Sequence, residues 1–181
     1  MDALSLLVRM ARNNAWANHR LYAACAVLPP GDLHAKRTSF FPSIAATLNH
    51  NLIVDWYYVD ALLREGRGRS VFSSEMPFTE IGPLREAQWK VDLRLVGLVE
   101  AMRSEAELDV EVRLERDDHV QVERAGDVLA HLFQHQVHHR GQAHAMLAGT
   151  HVPPPQLDEF FLREELPLRR GELEELGLPL E

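Results

Sequence analysis

The chain has 181 residues, 46% hydrophobic and 25% charged, enough for one well-cored domain and short for two. Its formal net charge is -8, so the Lys/Arg surface that neutralises phosphates is missing from the bulk charge, and nucleic acid is not an expected partner. Cys25 is the one cysteine, which excludes an internal disulfide framework and a cysteine-rich zinc site; its setting in the apolar run AACAVL reads as a small buried hydrophobe.

The N-terminal stretch MDALSLLVRMARNNAWANHRLY shows no basic start followed by a long apolar run. No segment approaches the roughly 18 to 20 apolar residues of a membrane helix, so the expectation is a soluble, cytoplasmic protein with no membrane partner. From Leu4 to Leu28 apolar residues recur at helical spacing until PPGD at 29–32 stops the run, which gives the first helix. Trp16 and Tyr22 are expected to pack it into its neighbours, with Asn14 and Asn18 as polar contacts near its surface. The second helix starts around Ser43, just after Pro42, runs through IAATLNHNLIVDWYYVDALLREG and stops at Gly66.

Residues 66–82 carry Gly, Ser and Pro among isolated apolar residues and read as a long loop packed over the core. Helical spacing resumes in LREAQWKVDLRLVGLVEAM, with Pro83 in the permitted first turn of the third helix. The period then changes to two: Leu108, Val110, Val112 and Leu114 alternate with charged residues, as do Val120 and Val122 after the DD turn, which predicts a small hairpin. The fourth helix covers roughly Ala125 to Gly149. Beyond HVPPPQLD lie a short helix and a charged, solvated end. The predicted fold is all-α: a four-helix bundle with a small β-hairpin before the last long helix, forming a single domain over 1–166 with a charged C-terminal tail over 167–181. In such bundles metal and ligand sites are built from side chains on facing helices.

The fourth helix carries five of the ten histidines. His135 and His139 are four residues apart, so they sit about 40° apart on one face, one turn above the other, and can share a metal ion. His131 and Gln142 lie close to the same stripe, His138 about 60° to one side, and His144 well away. The HxxxH spacing alone is equally that of any long helix with two polar residues on one face. His50, in the middle of the second helix, has Ala46, Thr47, Ile53 and Val54 as helical neighbours, and a polar ring buried there needs a partner. Two readings follow: a core histidine bonded to a backbone carbonyl or to Asp55, or a third imidazole converging on the His135–His139 pair as an open metal site.

With these residues in view, the chain resembles the DinB/YfiT superfamily of bacterial metal-binding four-helix bundles. The resemblance lies in NAWANHRLY at 14–22, LNHNLIVDWYY at 48–58 and HQVHHRGQ at 135–142, and its specific part is HxxxHRGQ paired with an upstream LNHxxxxD. It implies that His50, His135 and His139 are the metal ligands and that Arg140, Gly141 and Gln142 belong to the signature around the site. Three residues after the helix-two aspartate this chain has Tyr58 where the superfamily usually has Trp, and His131 and His138 are outside the shared pattern.

Three imidazoles suit zinc, nickel or another divalent first-row ion and leave positions open. Described members of the superfamily include thiol S-transferases and a thiol-dependent isomerase. The resemblance therefore implies a metal-dependent transferase that joins a low-molecular-weight thiol to an electrophilic small molecule. A metal-dependent hydrolase and a non-catalytic metal-binding or small-molecule-binding bundle are the alternatives. A homodimer paired through a helix face is compatible with this class. Around the site, each ligating imidazole is expected to donate its other N–H to an acceptor. Asp55, about 140° around the helix from His50, is expected at the surface or beside Arg140; Gln142 is expected either to bond metal-bound water or to act as a packing amide.

Overall fold

The structure is a computed structural model that describes residues 1–180, apart from the side chain of Pro30. Helix α1, Ala3–Ala26, starts where the Asp2 carboxylate accepts the Ser5 N–H at 2.7 Å, a side-chain cap that satisfies one otherwise unpaired donor. It turns into a short helix α2, Pro30–His34, within the predicted stop. Helix α3, Ile44–Leu63, is capped by Ser43, whose hydroxyl accepts the Ala46 N–H at 3.1 Å. The expected stop at Gly66 comes two residues late. Arg64 takes the left-handed conformation (φ 57°), and Asp60, the C-terminal aspartate of α3, accepts the Arg67 and Gly68 N–H groups, each at 3.0 Å.

The 66–82 loop covers the core as expected. Asn49 of α3 clamps it by donating to the Phe78 carbonyl at 2.9 Å and accepting the Phe78 N–H at 3.0 Å. Helix α4, Ile81–Ala101, begins slightly before Pro83, which stays in the permitted first turn. Strands β1 (Glu111–Glu115) and β2 (Val120–Arg124) form the antiparallel hairpin with Arg113 opposite Val122. Helix α5, Ala125–Leu147, follows directly.

Helices α1, α3, α4 and α5 close a ring: α1 packs on α4, α4 on α3, α3 on α5, and α5 back on α1. Trp16, Leu21, Leu52, Leu129, Leu132 and Leu147 fill its interior without solvent exposure, which is the four-helix bundle the periodicity predicted. Cys25 is buried, as expected. No helix among the described residues is long and apolar enough to cross a membrane.

The facing of the hairpin strands was left open by the alternation, and the C-terminal tail departs from the sequence reading. In the hairpin, β1 points Val112 and Leu114 inward, but the register puts Val120 and Val122 on the outer face, 43% and 44% exposed. The acidic tail, expected to be solvated, instead forms helix α6, Leu166–Glu175, whose Leu173 is fully buried. Glu172 anchors it to α1: its carboxylate accepts the Trp16 indole N–H at 2.7 Å and the Arg20 Nε at 2.8 Å. Glu181, the last residue of the expected tail, lies outside the described residues.

Candidate metal centre

His50 projects from the middle of α3 and His135 and His139 from one stripe of α5, where the two helices pack. One nitrogen from each lies within 4.8 Å of the others, and His50 Nε2 is 3.0 Å from His135 Nε2. Two nitrogens on a tetrahedral ion stand about 3.3 Å apart, so the cluster is of the right size for one divalent cation. Of the two readings of His50, the structure matches the convergent one. His50 makes no bond to Asp55, which is turned away into the core.

The imidazoles are held in the ligating, neutral form. Burial, with His139 adding to it, lowers His50 to about 4. Burial and then the surrounding histidines lower His135 to about 3. Burial also lowers His139, against an opposing hydrogen bond from Gln142. That bond joins His139 Nδ1 to Gln142 Oε1 at 2.9 Å, so the ring donates from Nδ1 and leaves the Nε2 lone pair for the cluster. Gln142 Nε2 in turn lies 3.0 Å from His138 Nε2. Gln142 is thus neither a simple packing amide nor a cluster member: it fixes the tautomer of His139. His135 Nδ1 is buried with no partner among the described residues. A donor set of three neutral nitrogens, with no thiolate and no carboxylate beside it among the described residues, fits a borderline divalent ion with open positions.

His131 and His138 are outside the cluster. The His131 ring lies against Tyr58 at 5.3 Å, and His138 is exposed beside Gln142. His144 bonds the Pro155 carbonyl at 2.9 Å. The sequence reading missed Phe40 and Phe41. The Phe41 ring covers the cluster, 4.4 Å from His50 and 5.5 Å from His139, and Phe40 packs edge-on against it while 78% exposed. The FF pair in an otherwise polar TSFFPS segment was the available signal.

Behind the cluster runs a buried polar ring that decides one open expectation and corrects another. Of its two expected places, Asp55 takes the one in the field of Arg140 and not the surface: it is 1% exposed and accepts Gln88 Nε2 at 2.6 Å and the Gln136 amide. Asn14 and Asn18 are not near-surface contacts. Both are buried, accept the Arg140 guanidinium at 2.7 and 3.0 Å, and donate to Asp92, each at 3.0 Å. Burial raises Asp55 to about 6; burial and the nearby Asp55 charge raise Asp92 to about 8. One buried guanidinium thus faces two carboxylates, and a proton retained on Asp92 at neutral pH balances the set. The NAWAN and HRGQ stretches therefore meet as α1–α5 partners.

The sequence model of the DinB family matches residues 3–168. The chain belongs to the DinB family. The fold of this DinB-family protein is similar to that of a DinB-like protein from Bacillus cereus known from a crystal structure, with a TM-score of 0.60 and 15% identity over 78% of this chain and 90% of that one. No curated protein sequence matches the chain.

Proposed function

We propose that this DinB-family protein is a divalent-metal-dependent S-transferase, with His50, His135 and His139 as ligands of zinc or nickel, that joins a low-molecular-weight thiol to an electrophilic small molecule. The observation that carries the reading is the convergence of three neutral imidazoles from two facing helices with no fourth protein donor among the described residues. A divalent ion bound there supplies the positive charge that favours a thiol as its nucleophilic thiolate.

The chain's own residues do the rest. Gln142 holds His139 with its Nε2 lone pair aimed at the centre. Burial keeps the three rings unprotonated near neutral pH, so no proton competes for their lone pairs. Phe41 keeps water off one face of the cluster, and Phe40, exposed beside it, offers an apolar surface on which an electrophile can rest. In the reaction, the thiolate sulfur forms a bond to the electrophilic carbon as the leaving group departs with its electron pair; the thiol proton goes to solvent.

The test is conjugation of a panel of low-molecular-weight thiols to monochlorobimane, in which the S–C bond forms and chloride leaves. Metal-loaded protein is expected to accelerate it with at least one thiol, and His139→Ala to abolish the acceleration. A metal-loaded protein that accelerates none of them is instead a non-catalytic binding bundle. Release of product from an activated ester without thiol would make it a hydrolase.

A further inference from the structure

A cavity of about 260 Å³ lies between the first half of α1 and the C-terminal segment, lined by Arg9, Arg12, Arg163 and Arg169 together with Phe160 and Phe161. No acidic side chain among the described residues lines it, in a chain whose net charge is -8. Nearby, Glu100 holds Arg12 at 2.7 Å, and Glu165 lies within the field of Arg169. Of the described residues, Arg9, Arg163 and Arg169 bring three guanidinium groups to the cavity besides the Glu100-bound Arg12, and Glu165 is the carboxylate that acts on Arg169.

Arg9 and Arg169 are built in, while Arg163 stands exposed at the rim. Arg169 is 5% exposed; its Nη1 donates to the carbonyls of Glu159 and Leu162, each at 3.1 Å, and its Nε is buried with no partner among the described residues. Arg9 donates to the Phe161 carbonyl at 2.7 Å. The two guanidinium groups lie over aromatic rings, Arg9 5.0 Å from Phe161 and Arg169 5.1 Å from Phe160, which orients them without neutralising them. Carbonyl oxygens satisfy N–H groups but carry no net charge, so these bonds orient the guanidinium groups of Arg9 and Arg169 without neutralising them. Burial and the Arg9 charge both act against the charged form of Arg169, a strain that an anion in the cavity relieves. Leu166, the first residue of α6, also lines the cavity, and no side chain caps that helix end, so its dipole adds to the positive field.

We propose that this cavity binds the oxyanion group, carboxylate or phosphate, of a small soluble molecule, with Arg9, Arg163 and Arg169 as its hydrogen-bond donors. Guanidinium forks match both groups in a bidentate way. The volume lies below the roughly 300 to 1,000 Å³ of drug-sized pockets, which sets the ligand class as small. The cavity uses no residue of α3 or α5, so the site is independent of the histidine cluster.

Calorimetric titration of the protein as isolated with inorganic phosphate, at ionic strength fixed by sodium chloride, tests it. Saturable binding at one site is expected, weakened about tenfold or more by Arg163→Glu at an exposed position and by Arg9→Gln, since a charge-assisted bond is worth about that factor. Circular dichroism establishes that each variant is folded. His135→Ala is expected to bind phosphate as the wild type does. Binding lost in His135→Ala but kept in Arg163→Glu would put the anion at the histidine cluster and overturn the proposal, as would wild-type protein that shows no saturable binding. Sedimentation with phosphatidylglycerol vesicles that phosphate fails to compete away would point to a lipid surface and overturn it too.

Discussion

The bundle holds two polar clusters back to back, and they are built on opposite principles. The ring of Asn14, Asn18, Asp55, Gln88, Asp92, Gln136 and Arg140 brings donors and acceptors together in matched kinds, so each helix supplies what its neighbour lacks. The cluster of His50, His135 and His139 brings together three rings of the same kind, and two Nε2 atoms face each other at 3.0 Å, where at most one can donate. The first arrangement is mostly paired within the chain, with Asp55 Oδ1 and Gln136 Oε1 the ring oxygens left without a partner among the described residues, and it ties all four long helices together. The second gathers lone pairs around a common point, which suits a cation.

That contrast can be broken from the ring side first, where the largest effect is expected. Arg140→Leu strips the one buried cation from beside Asp55 and Asp92 and leaves Asn14 and Asn18 without their donor. Urea unfolding in the presence of a chelator should show a loss of about 3–5 kcal/mol, the usual cost of breaking a buried charge pair. An unchanged midpoint would mean that the ring does not tie the helices together.

From the cluster side, Gln142→Ala removes the acceptor that fixes His139 while leaving all three rings in place. Metal affinity, measured by chelator competition, should fall roughly 10- to 100-fold with little change in metal-free stability. An equal loss of both would return Gln142 to a packing role.

The smallest effect distinguishes the clusters by pH. Asp92 is raised from 3.8 to about 8, so the folded state keeps a proton that the unfolded chain has released. This contribution is fully present below the unfolded value and is lost as pH rises through about 8. The lowered histidines have the opposite sign and act only below their ordinary value of 6.5, where the unfolded chain gains protons first. Metal-free stability should therefore decline from about pH 6.5, where the histidines stop opposing it, to about pH 8 and level off above, and Asp92→Asn should flatten that decline.

The four long helices were legible because apolar spacing and local caps are short-range signals: Ser43 and Pro83 marked starts that the structure keeps within two or three residues. The His135–His139 stripe followed from helix geometry alone, and His50 joined it through an apolar setting and the family pattern. What stayed hidden depends on distant partners. For Asp55 the surface and the Arg140 readings stayed open because Gln88 and Gln136, whose amides hold it in the core, come from other helices. The tail looked solvated because its acids read as a charge run, whereas Glu172 meets Trp16 and Arg20 far away in sequence. Val120 and Val122 alternate as an inward face would, and only the pairing register shows them pointing outward.

If the three-histidine cluster holds a metal ion, the ion should accompany the protein through purification. Elemental analysis of tag-free protein purified without added metal, beside His135→Ala, tests it most directly. Near one divalent ion per chain is expected in the wild type, lost in the variant. No metal in either protein, even after reconstitution with zinc and nickel, would contradict it.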